Sequence, residues 1–412
     1  MANAANISQV LDILESATGS ERIVAVVSAL GGVTDLTKMP EFTLGVEEEY
    51  LLVDKDTRGL VVDPPASLLG EFEKVCGDQV TNELLRSQIE IGTKVCKNVQ
   101  EARAELKRLR SGIIEVAEKH GLRVLAASTH PFSRWSEQKH TQKDRYEALT
   151  AEMQGAARRL LICGMHVHVG VGDDNLRIDL MNQFSYFLPH LLALSCSSPY
   201  WEGRDTGLKS YRLTVFDALP RTGLPEQFQS YAEYQRHITT MTNAGLVEDA
   251  SKIWWDMRPS CRFPTLETRV MDVCTRLDDA VALTAMLVCI MRMLWRLRVS
   301  NQRWRTYARM LIAENRWRAM RYSFDEGLID FARGEVVPFS DLLEEILNLT
   351  AEDAEALGCV DEIGHVRDIL TRGTSAHRQL KAHELAAAAG KDKEECLQAV
   401  VDTLVSDTAD GL

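Results

Sequence analysis

The segment FTLGVEEEYLLVD, residues 42–54, carries three consecutive glutamates inside an otherwise apolar stretch. The apolar residues predict a strand at 42–53, and side chains alternate between the two faces of a strand. Glu47 and Glu49 therefore point to one face, where their mutual repulsion favours a bound divalent cation. The alternative is a solvent-exposed acidic strand face. Glu48 shares the opposite, apolar face, which requires either a strand edge or a buried partner such as an arginine.

The same alternation recurs in three further predicted strands, SQIEIGT (87–93), GMHVHVG (164–170) and TLETRVMD (265–272). In each of them one face carries acidic, amide, imidazole or guanidinium groups, and the other face is mainly apolar. The polar positions are Gln88, Glu90, His166, His168, Glu267 and Arg269. Four strands that each offer such groups on one face predict a shared polar concavity.

The two histidines of GMHVHVG have a competing interpretation. Zinc enzymes use two alternating histidines with a third ligand, so a zinc-dependent hydrolase built on His166 and His168 stays open at this point. The glutamates of the other strands, however, make the predicted site rich in oxygen, and such sites favour Mg²⁺ or Mn²⁺. An HxH pair by itself is a weak signal.

Several arginines adjoin the polar strands and are suited to bind an anionic ligand through their bidentate guanidinium groups. They include Arg258 in WWDMRPS, Arg269 in LETR and Arg321 in ENRWRAMRY. For each of them a structural ion pair is the alternative. The sequence contains no Walker loop, no GxGxxG motif after a strand and no nucleophile elbow, so a bound nucleotide would not be held by a P-loop.

The remaining periodicity predicts a single α+β domain with a helical C-terminal region. The predicted helices cover residues 98–121, 145–160, 179–198, 226–245 and a stretch from 278, with strands at 123–129 and 253–260. Residues 301–412 are almost entirely helical in pattern, with a turn at GEVVP (334–338).

Composition disfavours several classes of function. The chain has 60 acidic and 47 basic residues and a formal charge of −13, which disfavours nonspecific binding to nucleic acid or anionic membranes. Nine cysteines without any CxxC motif fit a reducing cytoplasm, and the N-terminus lacks a signal-peptide pattern. The longest apolar stretch, residues 280–291, is too short to span a bilayer and predicts a buried helix.

Residues 1–38 differ in character from the rest of the chain. RIVAVVSALGGVTD (22–35) predicts a buried strand that runs into a Gly-Gly turn. This stretch resembles an N-terminal fragment of aspartate kinases but lacks their nucleotide-binding loop. We therefore expect an N-terminal extension at 1–38, which is a fused segment, a misplaced start or a segment added for expression, followed by a catalytic domain at 39–412.

The order of several motifs resembles that of a known family. The motifs are FTLGVEEEYLLVD, THPF, CGMHVHVGV, LPHLLALSCSSPYWEGRDTG, WWDMRPS, PTLETRVMD and ENRWRAMRYSF. From about residue 41 to about residue 385 the chain is similar to YbdK-type carboxylate–amine ligases of the type 2 glutamate–cysteine ligase family. The resemblance implies a curved antiparallel sheet with flanking helices, as in glutamine synthetase and the guanidino kinases, whose concave face holds ATP and Mg²⁺ or Mn²⁺.

The resemblance also implies roles for individual residues. The expected metal ligands are Glu47, Glu49, Glu90, His166 and Glu267. The expected catalytic residues are Arg269, Arg258 and His166, and the expected cofactor-binding residues are Arg269, Arg321 and His168. Glu48 stands where relatives have varied residues, so we do not expect it to be a ligand.

The reaction that the resemblance implies is phosphoryl transfer from ATP to a carboxylate. An amine then attacks the acyl phosphate, giving an amide, ADP and phosphate. Glutamate is the expected acid, and cysteine or another amino compound the expected amine. We also expect a cytoplasmic homodimer or higher homo-oligomer, with neither nucleic acid nor a membrane as partner. A noncatalytic protein that binds a nucleotide or metabolite on the same scaffold is the second alternative to the ligase.

Overall fold

The chain is organised around one seven-stranded antiparallel sheet. The computed structural model describes residues 39–141 and 152–412. The strands are β1 Leu44–Asp54, β2 Val80–Asn82, β3 Gln88–Gly92, β4 Leu122–Leu125, β5 Met165–Gly170, β6 Met257–Pro259 and β7 Thr265–Thr268. Their order is β6-β7-β5-β1-β3-β2, and β4 pairs with the C-terminal part of β1. The strand that carries the three glutamates is therefore central to the sheet.

The alternation predicted for the first strand is present in β1. From Leu44 to Tyr50 the residues are alternately buried and half-buried. Val46, Glu48 and Tyr50 are fully buried on one face. The opposite face is only partly enclosed, and we call it the polar face of the sheet. A one-residue shift in register would bring the apolar set to this face, so the core fixes which glutamates point outward.

Helices pack against the sheet and form the C-terminal region. The α-helices are Leu68–Cys76, Val99–Lys119, Gly155–Arg158, Asp174–Phe184, Leu188–Ser195, Arg212–Phe216, Tyr231–Asn243, Leu277–Val299, Arg309–Tyr322, Phe339–Leu349, Ala351–Leu357, Val360–Gly364, Val366–Arg372, Ser375–Ala388 and Lys393–Thr408. Short 3₁₀ turns lie at Gly77–Gln79, Trp135–Glu137, Ser185–Phe187 and Ala250–Lys252. The prediction of an α+β fold with an antiparallel sheet and a helical C-terminal region is confirmed.

Two long helices pack beside the sheet and form part of the core. Val99–Lys119 begins at Asn98, whose side chain accepts a hydrogen bond from the Glu101 amide, an ordinary N-cap. This helix packs against β1 and β4. Leu277–Val299 is long and apolar enough to cross a membrane by length and composition alone, but 83% of its most apolar window is buried in the protein. The prediction of a buried helix at 280–291 is therefore confirmed.

Some predicted boundaries are wrong for local physical reasons. The helix predicted at 179–198 begins at Asp174 and is interrupted by a 3₁₀ turn at Ser185–Phe187, because Pro189 in the first turn of the next helix has no amide hydrogen to donate. The turn predicted at GEVVP is instead the second strand of a small hairpin, Glu335–Val337 paired with Leu328–Asp330.

Other short pairings are formed by Tyr200–Trp201 with Arg204–Asp205 and by Thr222–Gly223 with Trp254–Trp255. The helix predicted at 226–245 begins at Tyr231, because the Ser230 side chain caps it by accepting from the Glu233 amide. The predictions for residues 1–38 and for the first seven residues of the helix at 145–160 fall outside the described residues, and the remainder of that helix includes Gly155–Arg158. The division of the chain at residue 38 therefore stays a prediction.

Candidate functional site

The strand register brings the predicted polar residues to one face of the sheet. Glu47 lies opposite His166, and Gly45 lies opposite His168, across β1 and β5. Glu49 lies opposite Glu90 across β1 and β3, and Glu267 lies opposite His168 across β7 and β5. Residues directly opposite each other point to the same side of a sheet. The polar face thus collects Glu47, Glu49, Glu90, His166, His168 and Glu267 from four strands.

The first group of potential metal ligands on this face consists of Glu47, His168 and Glu267. One ligand atom from each of them lies within 4.8 Å of the others. Glu47 contacts both histidines: its Oε2 lies 3.2 Å from His166 Nδ1, and its Oε1 lies 3.5 Å from His168 Nε2.

Glu267 is held by two arginines. Arg258 donates from Nε and Nη2 to its two oxygens, at 2.8 and 3.0 Å, and Arg269 donates from Nη1. The Glu267 side chain is buried, which opposes ionisation, yet the charges of Arg269 and Arg258 lower its pKa. Arg258 also donates to the Ser251 and Ile253 carbonyls. It therefore serves as a structural clamp on the carboxylate in this arrangement.

The second group of potential metal ligands is made of carboxylates alone. Ligand atoms of Glu49, Glu83 and Glu90 lie within 4.8 Å of one another. Burial and the charge of Glu83 raise the pKa of Glu49 to about 7, against the hydrogen bond that its Oε2 accepts from the Gly164 amide at 2.7 Å. Three carboxylates this close repel one another, and a hard cation such as Mg²⁺ prefers oxygen ligands of this kind. The donor set therefore fits a magnesium ion.

Sequence reasoning did not identify Glu83. It lies between β2, which was not predicted as a strand, and β3, and it comes seven residues before Glu90. Val80–Asn82 is too short to show a periodic pattern, so the sequence offered no signal beyond the carboxylate itself. The structure brings Glu83 to Glu49 because β2 and β3 form an antiparallel pair next to β1.

His166 and Arg269 lie side by side on the polar face. Arg269 Nη1 lies 3.4 Å from His166 Nδ1. Burial and the charge of Arg269 lower the pKa of His166 to about 4, so the ring is neutral at neutral pH. Burial would lower the pKa of Arg269 itself, but Glu267 outweighs this and raises it. Arg269 thus brings a permanent positive charge to the polar face.

A buried arginine, Arg212, supports this part of the sheet. Its Nη1 and Nη2 both donate to the Arg269 carbonyl at 3.2 Å. The guanidinium lies so close to Gly164 that a Cβ at that position would collide with it. Gly164 is also the residue whose amide donates to Glu49. Arg212 and Gly164 therefore fix the backbone at two points of the polar face.

Two residues considered in the sequence, Arg321 and Glu48, lie away from the polar face. Arg321, expected to bind the cofactor, donates to the Gly207 carbonyl and lies over the Tyr322 ring, so these contacts do not bring it to the glutamates of the polar face. Glu48 has the buried arginine partner that the sequence left as one of two explanations. Arg110 donates to its carboxylate from Nε and Nη2, at 2.9 and 2.5 Å, and both side chains are fully buried.

Comparison with known proteins identifies the family of the chain. Residues 43–403 match the glutamate-cysteine ligase family 2 (GCS2). A protein of Rhodospirillum rubrum named "Putative glutamate--cysteine ligase 2" is 59% identical over 373 residues, which cover 90% of this chain and 96% of that protein. A protein of the same name from Jannaschia sp. is 53% identical over 366 residues, which cover 89% and 96% of the two chains.

Solved structures show the same fold at low sequence identity. Glutamate–cysteine ligase from Francisella tularensis, in complex with AMP, matches with a TM-score of 0.63 and 13% identity over 90% of both chains. A bifunctional glutathione synthetase from Pasteurella multocida matches with a TM-score of 0.64 and 15% identity over 90% of this chain and 53% of that one.

The family match confirms the expected class of enzyme, an ATP-dependent ligase that joins a carboxylate to an amine. It gives no support to the alternative of a zinc hydrolase, and the two histidines are accompanied by carboxylates on the same face of the sheet. The chain belongs to glutamate–cysteine ligase family 2.

Proposed function

We propose that the polar face of the sheet catalyses the joining of glutamate to an amine at the expense of ATP. A carboxylate oxygen of glutamate attacks the γ-phosphorus of ATP, and ADP leaves. The amine nitrogen then attacks the carbonyl carbon of the acyl phosphate, phosphate leaves, and the amine loses a proton. The observation that carries this proposal is the presence of two groups of potential metal ligands on one face of a ligase-family sheet, with Arg269 in contact with Glu267 of one group.

The two groups divide the task of holding Mg²⁺. Glu49, Glu83 and Glu90 offer only oxygen atoms, and Glu47, Glu267 and His168 offer oxygen and one imidazole nitrogen. Mg²⁺ bound to them would neutralise charge on the β- and γ-phosphates of ATP. The predicted ligands Glu47, Glu49, Glu90 and Glu267 thus belong to these groups, whereas the predicted ligand His166 lies beside them, with Nδ1 between Glu47 and Arg269.

Arg269 is the cation best placed to face a transferring phosphoryl group. Its guanidinium contacts Glu267 and His166 on the polar face, and its backbone carbonyl accepts a hydrogen bond from Arg212. Phosphoryl transfer depends on such preorganised positive charge and needs little covalent chemistry from the protein. In the proposed reaction Arg269 stabilises the charge that develops on the phosphoryl oxygens, while Arg258 keeps Glu267 in place.

Several parts of the proposal rest on the sequence and the family. Glutamate as the acid follows from the family, and the amine is cysteine or another small amino compound. A cytoplasmic location and a homodimer or higher homo-oligomer likewise stay predictions. The role expected for Arg321 in binding the nucleotide also stays a prediction, since its hydrogen-bond and ring contacts lie in the Gly207 loop and its own helix.

The proposal is tested by measuring ADP release from ATP with Mg²⁺, glutamate and a panel of amines. We expect ADP to form only when both the acid and an amine are present, together with one amide per ADP. An Arg269→Met variant serves as the paired enzyme and should release ADP at least about 100-fold more slowly, the size of effect seen when a preorganised transition-state contact is removed. ADP release that requires neither acid nor amine would contradict the proposal, and so would amide formation that yields AMP and pyrophosphate.

A further inference from the structure

His168 is held in a defined orientation by a residue of the neighbouring strand. Thr265 Oγ1 lies 2.9 Å from His168 Nδ1. Thr265 lies opposite Gly170 and Glu267 lies opposite His168, so Thr265 is a diagonal neighbour of the imidazole on the polar face. The Phe263 ring meets the imidazole edge to face, at 6.2 Å between ring centres. The His168 imidazole therefore contacts Thr265 through Nδ1 and also packs against the Phe263 ring.

We infer, on the basis of the proposed function, that Thr265 is a positioning residue that fixes His168 with its Nε2 directed at a cation held with Glu47 and Glu267. An imidazole that binds a metal through one nitrogen carries its proton on the other and donates it to an oxygen acceptor. With the Nδ1 hydrogen donated to Thr265 Oγ1, the lone pair of Nε2 points toward Glu47.

The distance between His168 and Glu47 supports this orientation. Nε2 lies 3.5 Å from Glu47 Oε1. With Nε2 unprotonated, both atoms are acceptors and have no hydrogen to share. Two ligands at right angles on Mg²⁺ lie about 3 Å apart, because each Mg²⁺–ligand bond is about 2.1 Å long. A cation between them would therefore turn an unfavourable approach of two lone pairs into coordination, with little movement of either side chain.

The second histidine of the strand lacks this arrangement. His166 Nδ1 faces Glu47 Oε2 and the Arg269 guanidinium. Its Nε2 is buried and has no hydrogen-bond partner among the described residues. Arg269 can only donate, so it favours a lone pair on His166 Nδ1, the opposite tautomer to that of His168. The two histidines are thus not interchangeable, and Thr265 acts on only one of them.

The test compares three variants with the unmodified enzyme. Thr265→Val removes the hydroxyl at nearly constant shape, and Thr265→Ser retains it. Thr268→Val is the matched control, because the Thr268 hydroxyl lies on the same strand, is buried and has no hydrogen-bond partner among the described residues. Mn²⁺ affinity is measured by electron paramagnetic resonance on nucleotide-free protein, with kcat and the apparent KM for Mg²⁺ measured in parallel.

We expect Thr265→Val to weaken Mn²⁺ binding roughly 10- to 100-fold, the usual effect of removing an outer-shell partner of a metal-binding histidine. Thr265→Ser and Thr268→Val should stay within about twofold of the unmodified enzyme, because neither loses the hydrogen bond to His168. The apparent KM for Mg²⁺ should rise in Thr265→Val more than kcat falls. The midpoint temperature of thermal unfolding without metal should be similar in all four proteins.

Three results would overturn the inference: unchanged Mn²⁺ affinity in Thr265→Val, an equal loss in Thr265→Ser, or no Mn²⁺ binding by the unmodified enzyme. The last result would also remove the metal part of the proposed function. Failure of the proposed function alone has a different signature: the unmodified enzyme would release no ADP with any acid and amine, while Thr265→Val still lost Mn²⁺ affinity.

Discussion

Glu48 and its two neighbours are adjacent on one strand, yet they lie in opposite environments. Glu48 is fully buried against Arg110 and Tyr50, whereas Glu47 and Glu49 are half-buried on the polar face. Four N–H groups of the Arg110 guanidinium donate, two of them to Glu48 and one each to the Cys274 and Thr275 carbonyls. The protein thus neutralises the charge on one face of β1 with its own residues.

On the polar face the balance is different. Glu49, Glu83 and Glu90 come together as three carboxylates, and the pKa of Glu49 is raised because burial and Glu83 disfavour its charged form. The same residue type is structural where the fold supplies a countercharge, and it suits a bound cation where the fold leaves excess negative charge.

The largest effect is expected on the buried face. Arg110→Met leaves the Glu48 carboxylate buried without its countercharge, and removing one partner of a buried ion pair costs about 3–5 kcal/mol. Urea unfolding measures this loss as a lower free energy of unfolding. The double variant Glu48→Leu/Arg110→Met should recover much of the stability, because it removes both charges. A double variant less stable than Arg110→Met alone would show that the pair does not act as a unit.

The next effect concerns turnover on the polar face. Glu47→Gln and Glu267→Gln should each lower the rate of ADP formation by at least about 100-fold, because each removes a charged ligand that neutralises phosphate charge. The free energy of unfolding of Glu47→Gln should change by less than about 1 kcal/mol, in contrast to Arg110→Met. Glu267→Gln should also lose stability, because it removes the countercharge of Arg258 and Arg269. Steady-state kinetics and urea unfolding on the same preparations provide the comparison. Normal turnover in either variant would disprove the metal assignment.

A smaller effect is expected from pH in metal-free protein. The pKa of Glu49 is about 7 in the folded chain against an ordinary value of 4.5, so the folded state retains a proton that the unfolded state loses. The stability from this group is present below about pH 4.5 and is lost as the pH rises through about 7. The midpoint temperature of thermal unfolding should therefore fall between pH 5 and pH 8, by about 1–2 °C more than it does in Glu49→Gln.

Saturating Mg²⁺ should reverse this dependence, because the cation binds the ionised carboxylates of the folded state. At a Mg²⁺ concentration of about 100 times Kd the stabilisation is about 2.7 kcal/mol. Calorimetric scans with Mg²⁺ at both pH values measure it, with Glu49→Gln as the matched control. Equal stabilisation of this variant and the unmodified protein would place the cation elsewhere.

No effect is expected from removing residues 1–38. The polar face is built from residues that follow this segment, beginning with Glu47. A chain starting at Met39 should therefore retain the kcat and KM values of the full chain within about twofold. Loss of turnover in a shortened chain that unfolds at the normal temperature would mean that residues 1–38 contribute to the site.

The sequence predicted the polar face well because strand alternation is a local property. Glu47, Glu49 and Glu90 follow from period-two patterns within single segments. The partner of Glu48 could not be identified in this way, because Arg110 lies 62 residues further along the chain and on a helix. Glu83 was missed since β2 is too short to show a pattern. Pairings between distant segments depend on the packed fold, and no single-segment pattern contains them.

Isotope transfer from the carboxylate to phosphate tests the proposed acyl phosphate intermediate most directly. Glutamate labelled with ¹⁸O in its carboxylates is incubated with the enzyme, ATP, Mg²⁺ and an amine that supports ADP release, and the phosphate is analysed by mass spectrometry. Attack of the carboxylate on the γ-phosphorus predicts one ¹⁸O atom in each phosphate released. Unlabelled phosphate accompanying amide formation would contradict an acyl phosphate intermediate and the role assigned to the polar face.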